Sequence, residues 1–216
     1  MKDIFEPAKS HFERGVGEIS LANELAEEKC GYLSFEDFGT KGLTGDINEW
    51  KLGNAAGNAF FSFFRAEGIS SKTDDKLGRW GIGKQVFPTA SRLHAMFGLT
   101  QRADNPAKVL MGSAVIRSHS VDGSDYQPDA WFGCRSSDDA QVAPVTDKIF
   151  IGRFCQLFDL QRGDKPGLSV VVPLVDERLS AEDLQRGIVR SFFWPILRGE
   201  LVVEIKTPDG DLCIDD

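Results

Sequence analysis

The sequence predicts an α+β fold, a two-layer sandwich of helices on a mostly antiparallel sheet, with a C-terminal helix and hairpin appended. Three observations lead there. Strand-like apolar runs crowd the second half, at 109–117, 130–134, 154–160 and 168–174, without the intervening helices of a parallel sheet. The first hundred residues carry apolar side chains at helical spacing in three stretches. Near the end, Ser180 and Asp183 form a capping-box pattern, and Thr207-Pro208-Asp209-Gly210 makes a hairpin turn.

Taken in order, residues 3–29 are polar, with Phe5, Phe12, Val16, Ile19, Leu21 and Leu25 spaced for one or two helices. Residues 31–36 alternate and contain β-formers, which predicts a strand ending at Asp37. The run 38–45 holds Gly39, Gly42 and Gly45 and reads as a loop. A helix over 48–66 would place Phe60, Phe61 and Phe64 on one face; 68–83 is a long glycine-punctuated loop. A second helix, over 84–97, would align Val86, Ala90, Leu93 and Phe97, with Pro88 in its first turn. The continuous apolar run 168–174 suits a strand buried on both faces. A helix opening at Ser180 carries Leu184, Ile188 and Phe192 and ends near Trp194-Pro195; strands 200–206 and 211–214 flank the final turn. The predicted division is one domain over 1–176 and an extension over 177–216.

Several function classes recede on composition. A formal charge of -8 disfavours a general binder of phosphate backbones, so direct nucleic-acid binding by this domain is not expected. Cys30, Cys134, Cys155 and Cys213 lie far apart without zinc-type spacing and read as reduced thiols, which places the expected compartment in the cytoplasm. The sequence holds no apolar run of bilayer length, so membrane action is not expected either. His11, His94 and His119 look isolated, and Arg102, Arg117 and Arg153 read as solvated.

Two glycine clusters carry the chemistry. In the first, Asp37 closes a strand and Gly39, Thr40 and Gly42 follow; a carboxylate there can accept the exocyclic amine of adenine while glycines admit the flat base. In the second, Gly78, Gly81, Ile82, Gly83 and Lys84 run into a helix, where backbone N–H groups and a lysine suit phosphate oxygens. That cluster also spells G-x-x-x-x-G-K, but Gln85 replaces the hydroxyl that a P-loop needs, and the preceding residues cannot form a buried strand.

The pair of clusters resembles the GHKL (Bergerat-fold) ATPase superfamily of DNA gyrase, the large heat-shock chaperone and histidine kinases. Asp37-x-Gly39-x-x-Gly42-Leu43 is similar to its adenine motif, Gly78-x-x-Gly81-x-Gly83 to its lid motif, and Ile69 to Lys72 to the element before the lid. The resemblance implies that Asp37 bonds the adenine amine, that Gly39, Thr40 and Gly42 shape the pocket, and that Lys72, Gly78, Gly81, Ile82, Gly83 and Lys84 surround the phosphates of ATP or ADP. Three departures stand beside it. The adenine loop is one residue longer than the family pattern. At 167–169, Leu168 stands where the family has threonine, which leaves Ser169 as the substitute. The family's acidic helix, with a water-activating Glu and a magnesium-holding Asn, has only Glu18 and Asn23 as wrongly spaced counterparts. Mg2+ therefore has no identified ligand, and the catalytic helix is expected upstream, in another chain, or lost.

The function expected is an ATP/ADP-binding module whose lid closure controls a protein partner or a homodimer, with weak or no hydrolysis by this chain alone. The alternative is a non-enzymatic interaction or regulatory domain with a degenerate pocket.

Overall fold

The computed structural model describes residues 2–17, 30–54, 56–66, 83–135 and 141–215. It divides into two units, Met1–Val175 and Asp176–Asp216.

The first unit is built on a five-stranded sheet. Its strands are β1 (Tyr32–Glu36), β2 (Ala95–Gln101), β3 (Lys108–Val115), β6 (Asp129–Phe132) and β9 (Gly167–Pro173), in the order β1-β9-β2-β3-β6. All four pairings are antiparallel. Two short hairpins sit outside it: β4 (His119–Val121) with β5 (Ser124–Tyr126), and β7 (Cys134–Arg135) with β8 (Val142–Ala143). The fold is an α+β helix-on-sheet sandwich, the class that the sequence predicts.

Alternation assigns the two faces. On one, Phe97 and Leu99 of β2, Leu110 and Ala114 of β3 and Val171 of β9 meet the N-terminal helices α1 (Lys2–Phe5) and α2 (Lys9–Gly15) in one core cluster. Phe97 is its hub, in ring contact with Phe5, Phe132, Phe154 and Phe158. On the other face, Val109 and Met111 pack with Phe60 and Phe64 of α3 (Ala59–Phe64), and Phe64 lies over Gly98. The one-turn helix α4 (Val86–Thr89) also contacts β2, β3 and β9. Both faces of the sheet thus carry helices, the second only short ones.

Several expectations need correction. The helix predicted over 84–97 shrinks to a 3-10 turn, Gly83–Gln85, and α4; Ala95-Met96-Phe97 instead open β2, whose seven residues are all buried. A strand buried on both sides has no polar face, so its apolar side chains match helical spacing by accident. Residues 154–160, expected as a strand, fall largely in α5 (Lys148–Leu157), capped by Asp147, whose side chain accepts the Phe150 N–H at 2.7 Å. Ile151, Phe154 and Phe158 then recur on one side and are buried. The helix predicted over 48–66 is interrupted: Leu52–Asn54 is a 3-10 turn and α3 starts only after Asn58, its N-cap. Of the helices expected over 3–29, α1 and α2 are present, and 18–29 lies outside the described residues.

The second unit is α6 (Ala181–Leu197) followed by the antiparallel hairpin β10 (Val203–Thr207) and β11 (Gly210–Ile214). The capping box at Ser180 and Asp183 is formed. The helix continues past Pro195 to Leu197, beyond the expected end, and its last turn closes through Arg198 N–H on Trp194 O. Phe193, Trp194 and Leu197 are each more than half exposed. Among the described residues, no helix is long and apolar enough to cross a membrane.

Candidate functional site

Asp37 stands one residue beyond β1, where the strand leaves the sheet. Its N–H donates to Leu168 O at 2.9 Å, and Leu168 N–H donates to Asp37 Oδ1 at 2.8 Å. The same oxygen accepts the Thr40 hydroxyl at 2.9 Å, while Thr40 Oγ1 accepts Gly42 N–H at 3.3 Å. Asp37 Oδ2 takes no hydrogen bond among the described residues. The carboxylate is half-buried and, among the described residues, is held by Oδ1 alone.

The loop that follows is pinned onto the sheet. Thr100, fully buried near the C-terminal end of β2, accepts Leu43 N–H at 2.8 Å and donates to Gly167 O at 3.1 Å. Lys41 O accepts Ala103 N–H, and Thr44 O accepts Phe60 N–H. Gly42 sits at φ +65°, and a Cβ there would come 2.7 Å from Thr100 Oγ1 and strike the Gln101 carbonyl. Only glycine allows the loop to lie this close. Asp37, Gly39, Thr40 and Gly42 therefore gather at one end of β1 and β9.

Ser169 does not join them. It pairs across with Glu36, so both side chains stand on the face opposite Asp37. Its hydroxyl donates to Glu36 Oε2 at 2.7 Å and accepts Arg162 Nε–H at 2.9 Å, which occupies it inside the chain. Arg162 was not foreseen from the sequence. Its side chain is 1% exposed, and Nη2 donates to Leu168 O at 2.7 Å. Burial lowers its pKa, and the nearby Glu36 and Asp37 carboxylates oppose that. The QRGDKP stretch around it has the polarity of an exposed loop, so nothing local marks its burial.

Of the second cluster, Lys72, Gly78, Gly81 and Ile82 lie outside the described residues, as do Glu18 and Asn23. Gly83 opens the turn before α4. Lys84 donates its ammonium to Ser62 O at 2.9 Å, in the last turn of α3, and to Ala66 O, two residues beyond it. It borders a cavity of about 160 Å³ with Phe64, Met96, Ser113 and Trp131. By alternation, this cavity shares the sheet face of Asp37, but Met96 and Ser113 lie toward the opposite end of β2 and β3 from Thr100. Asp37 and the cavity that Lys84 borders are thus on one face, at opposite strand ends.

Arg65, at the end of α3, binds this region together. It donates to Ile47 O and Glu49 O, each at 2.7 Å, and its guanidinium lies 4.1 Å from the Trp50 ring centre. Burial pulls its pKa down to about 10, against the pull of Asp46 and Glu49. The group stays charged at neutral pH. Among the described residues, no cluster of three or more His, Cys, Asp or Glu side chains could hold a metal ion. The histidines are less isolated than the sequence suggests: His11 Nδ1 lies 2.9 Å from His119 Nε2.

No family model, curated protein or solved structure matches this chain.

Proposed function

We propose that this chain is an adenine-nucleotide-binding module of the GHKL kind, with Asp37 as the residue that reads the base. The observation that carries the proposal is the division of labour within the Asp37 carboxylate. Oδ1 is held by Leu168 N–H and the Thr40 hydroxyl, while Oδ2 is left to accept an exocyclic amine. Gly39 and Gly42 supply the backbone approach, and ATP or ADP is the ligand class. Gly83 and Lys84, with Lys72, Gly78, Gly81 and Ile82, are the proposed phosphate side. Lys84 would have to exchange the α3 carbonyls for phosphate oxygens when ligand binds. Mg2+ would enter with the triphosphate, and turnover by this chain alone is slow because no water-activating group has been identified. Closure of the lid would alter contact with a protein partner or a second copy.

The test is thermal unfolding with millimolar ADP or ATP and magnesium. Ligand at about a hundred times its dissociation constant adds about 2.7 kcal/mol of stability. A rise in Tm that disappears in Asp37→Asn supports the proposal; no rise with either nucleotide sinks it.

A second reading, an interaction domain with a degenerate pocket, is favoured by Lys84 being engaged on α3 and by the exposed Phe193, Trp194 and Leu197. It predicts indifference to nucleotide together with self-association or partner binding.

A further inference from the structure

Burying an arginine is unfavourable unless its donors are met and its charge is answered. Arg162, with 1% of its side chain exposed, meets this condition in an unusual place. Nε donates to Ser169 Oγ at 2.9 Å, Nη1 to the carbonyls of Lys165 and Pro166 at 3.4 Å, and Nη2 to Leu168 O at 2.7 Å. The carboxylate of Glu36 is 3.8 Å away, and the guanidinium lies 4.6 Å from the ring centre of Phe38. Its partners are therefore the two residues flanking Asp37 and the segment that Asp37 pairs with.

The backbone of Leu168 joins the two sides. Its carbonyl accepts from both Arg162 and Asp37 N–H, and its own N–H donates to Asp37 Oδ1. Between them, Gly167 sits at φ +147°, where a Cβ would run into Arg162 Nη1 and Asp37 at once. Leu168 therefore touches the guanidinium through its carbonyl and the Asp37 carboxylate through its N–H.

We propose that Arg162 is the positioning residue of the Asp37 site. Acting through the backbone of Leu168, it fixes Oδ1 as the oxygen spent inside the chain and Oδ2 as the one offered to ligand. The proposal rests on the adenine-binding reading above. Its consequence is selective: loss of Arg162 removes recognition of the adenine amine before it removes the fold.

The experiment compares dissociation constants for ADP and inosine diphosphate, which lacks the exocyclic amine, in wild type, Asp37→Asn, Arg162→Lys, Glu36→Gln and the Asp37→Asn/Arg162→Lys double variant. Unfolding midpoints without ligand are measured alongside. A hydrogen bond to a charged acceptor makes wild type prefer ADP by roughly ten- to a hundredfold. Arg162→Lys is expected to lower that ratio to within about threefold of unity and to have no further effect on it in the Asp37→Asn background. Glu36→Gln, which keeps an acceptor for Ser169, moves the ratio in the same direction and covers the case in which Arg162→Lys fails to fold. A folded Arg162→Lys that weakens both ligands equally and keeps the wild-type ratio overturns the positioning role but leaves the adenine reading intact. Wild type that binds both ligands alike, or neither, overturns both.

Discussion

Thr100 and Leu43, 57 residues apart, are joined by a 2.8 Å hydrogen bond from the Leu43 N–H to the Thr100 hydroxyl, beneath the loop that follows Asp37. The same hydroxyl donates to Gly167 O. One buried side chain thus ties the loop to the strand end that faces Asp37. Replacing Thr100 with Val keeps its shape but leaves a backbone donor and a carbonyl unmet, at a cost of about 1–3 kcal/mol. Urea unfolding checks the magnitude. An unchanged midpoint would show that the loop does not depend on this anchor.

Gly42 and Gly39 are both at positive φ, +65° and +86°, but differ in surroundings. Nothing lies near a Cβ at Gly39, whereas one at Gly42 meets the sheet. Gly39→Ala should cost only the left-handed strain of about 1–2 kcal/mol. Gly42→Ala adds a backbone clash and should cost clearly more, with loss of any nucleotide-induced stabilisation. Parallel denaturation curves decide it; equal losses would mean that the loop shifts freely.

Lys84 places a cation on the carbonyls of Ser62 and Ala66, at and just beyond the C-terminal end of α3, where the helix dipole is negative. Lys84→Met should therefore lower the unfolding midpoint without nucleotide, by about 1 kcal/mol. If Lys84 also reaches phosphate, ATP affinity falls more than the affinity for an adenine nucleoside. Calorimetric titration of both ligands separates the structural loss from the binding loss.

The His11–His119 pair predicts a pH dependence. Arg117 O can only accept, so His119 Nδ1, 2.9 Å away, carries the proton, and its Nε2 accepts from His11 Nδ1. Burial and the neighbouring imidazole lower the pKa of His11, and the Asp122 carboxylate opposes them. Because the folded value is depressed, the unfolded chain takes up the proton first. The stability is complete above about pH 6.5 and is lost as pH falls through the folded value. Chemical unfolding at about pH 7.5 and about pH 5.5 should show a falling midpoint in wild type and a flatter one in His11→Gln. Equal slopes would assign the effect to other groups.

Legibility in the sequence followed the range of the interaction. The strand before Asp37, the strand at 167–173, the capping box of α6 and the final turn are local patterns, and each is visible in a few residues. The helix predicted over 84–97 was misread because β2 is apolar on both faces, which removes the alternation that distinguishes strand from helix. The strand expected over 154–160 starts inside α5 because Phe154, Leu157, Phe158 and Leu160 read locally as an apolar run, while the deciding signal, the Asp147 cap, lies seven residues before Phe154. At the candidate site, Asp37, Thr40 and Gly42 are close in sequence and could be grouped from it. Arg162 and Thr100 could not, since their roles exist only once β9 lies between β1 and β2.

That arrangement also sets an order of events during synthesis. β1 is among the first strands to leave a ribosome, yet its partner β9 is the last strand of the sheet, and Asp37 waits for Leu168, 131 residues later. At a translation rate of roughly 5–20 residues per second, the interval is on the order of ten seconds. Throughout it, a chain arrested before Gly167 can rest the glycine loop on Thr100 and Phe60 but lacks the strand that holds Asp37 Oδ1. A nascent chain would thus acquire the Asp37 site abruptly, as its final strand inserts, rather than by gradual maturation.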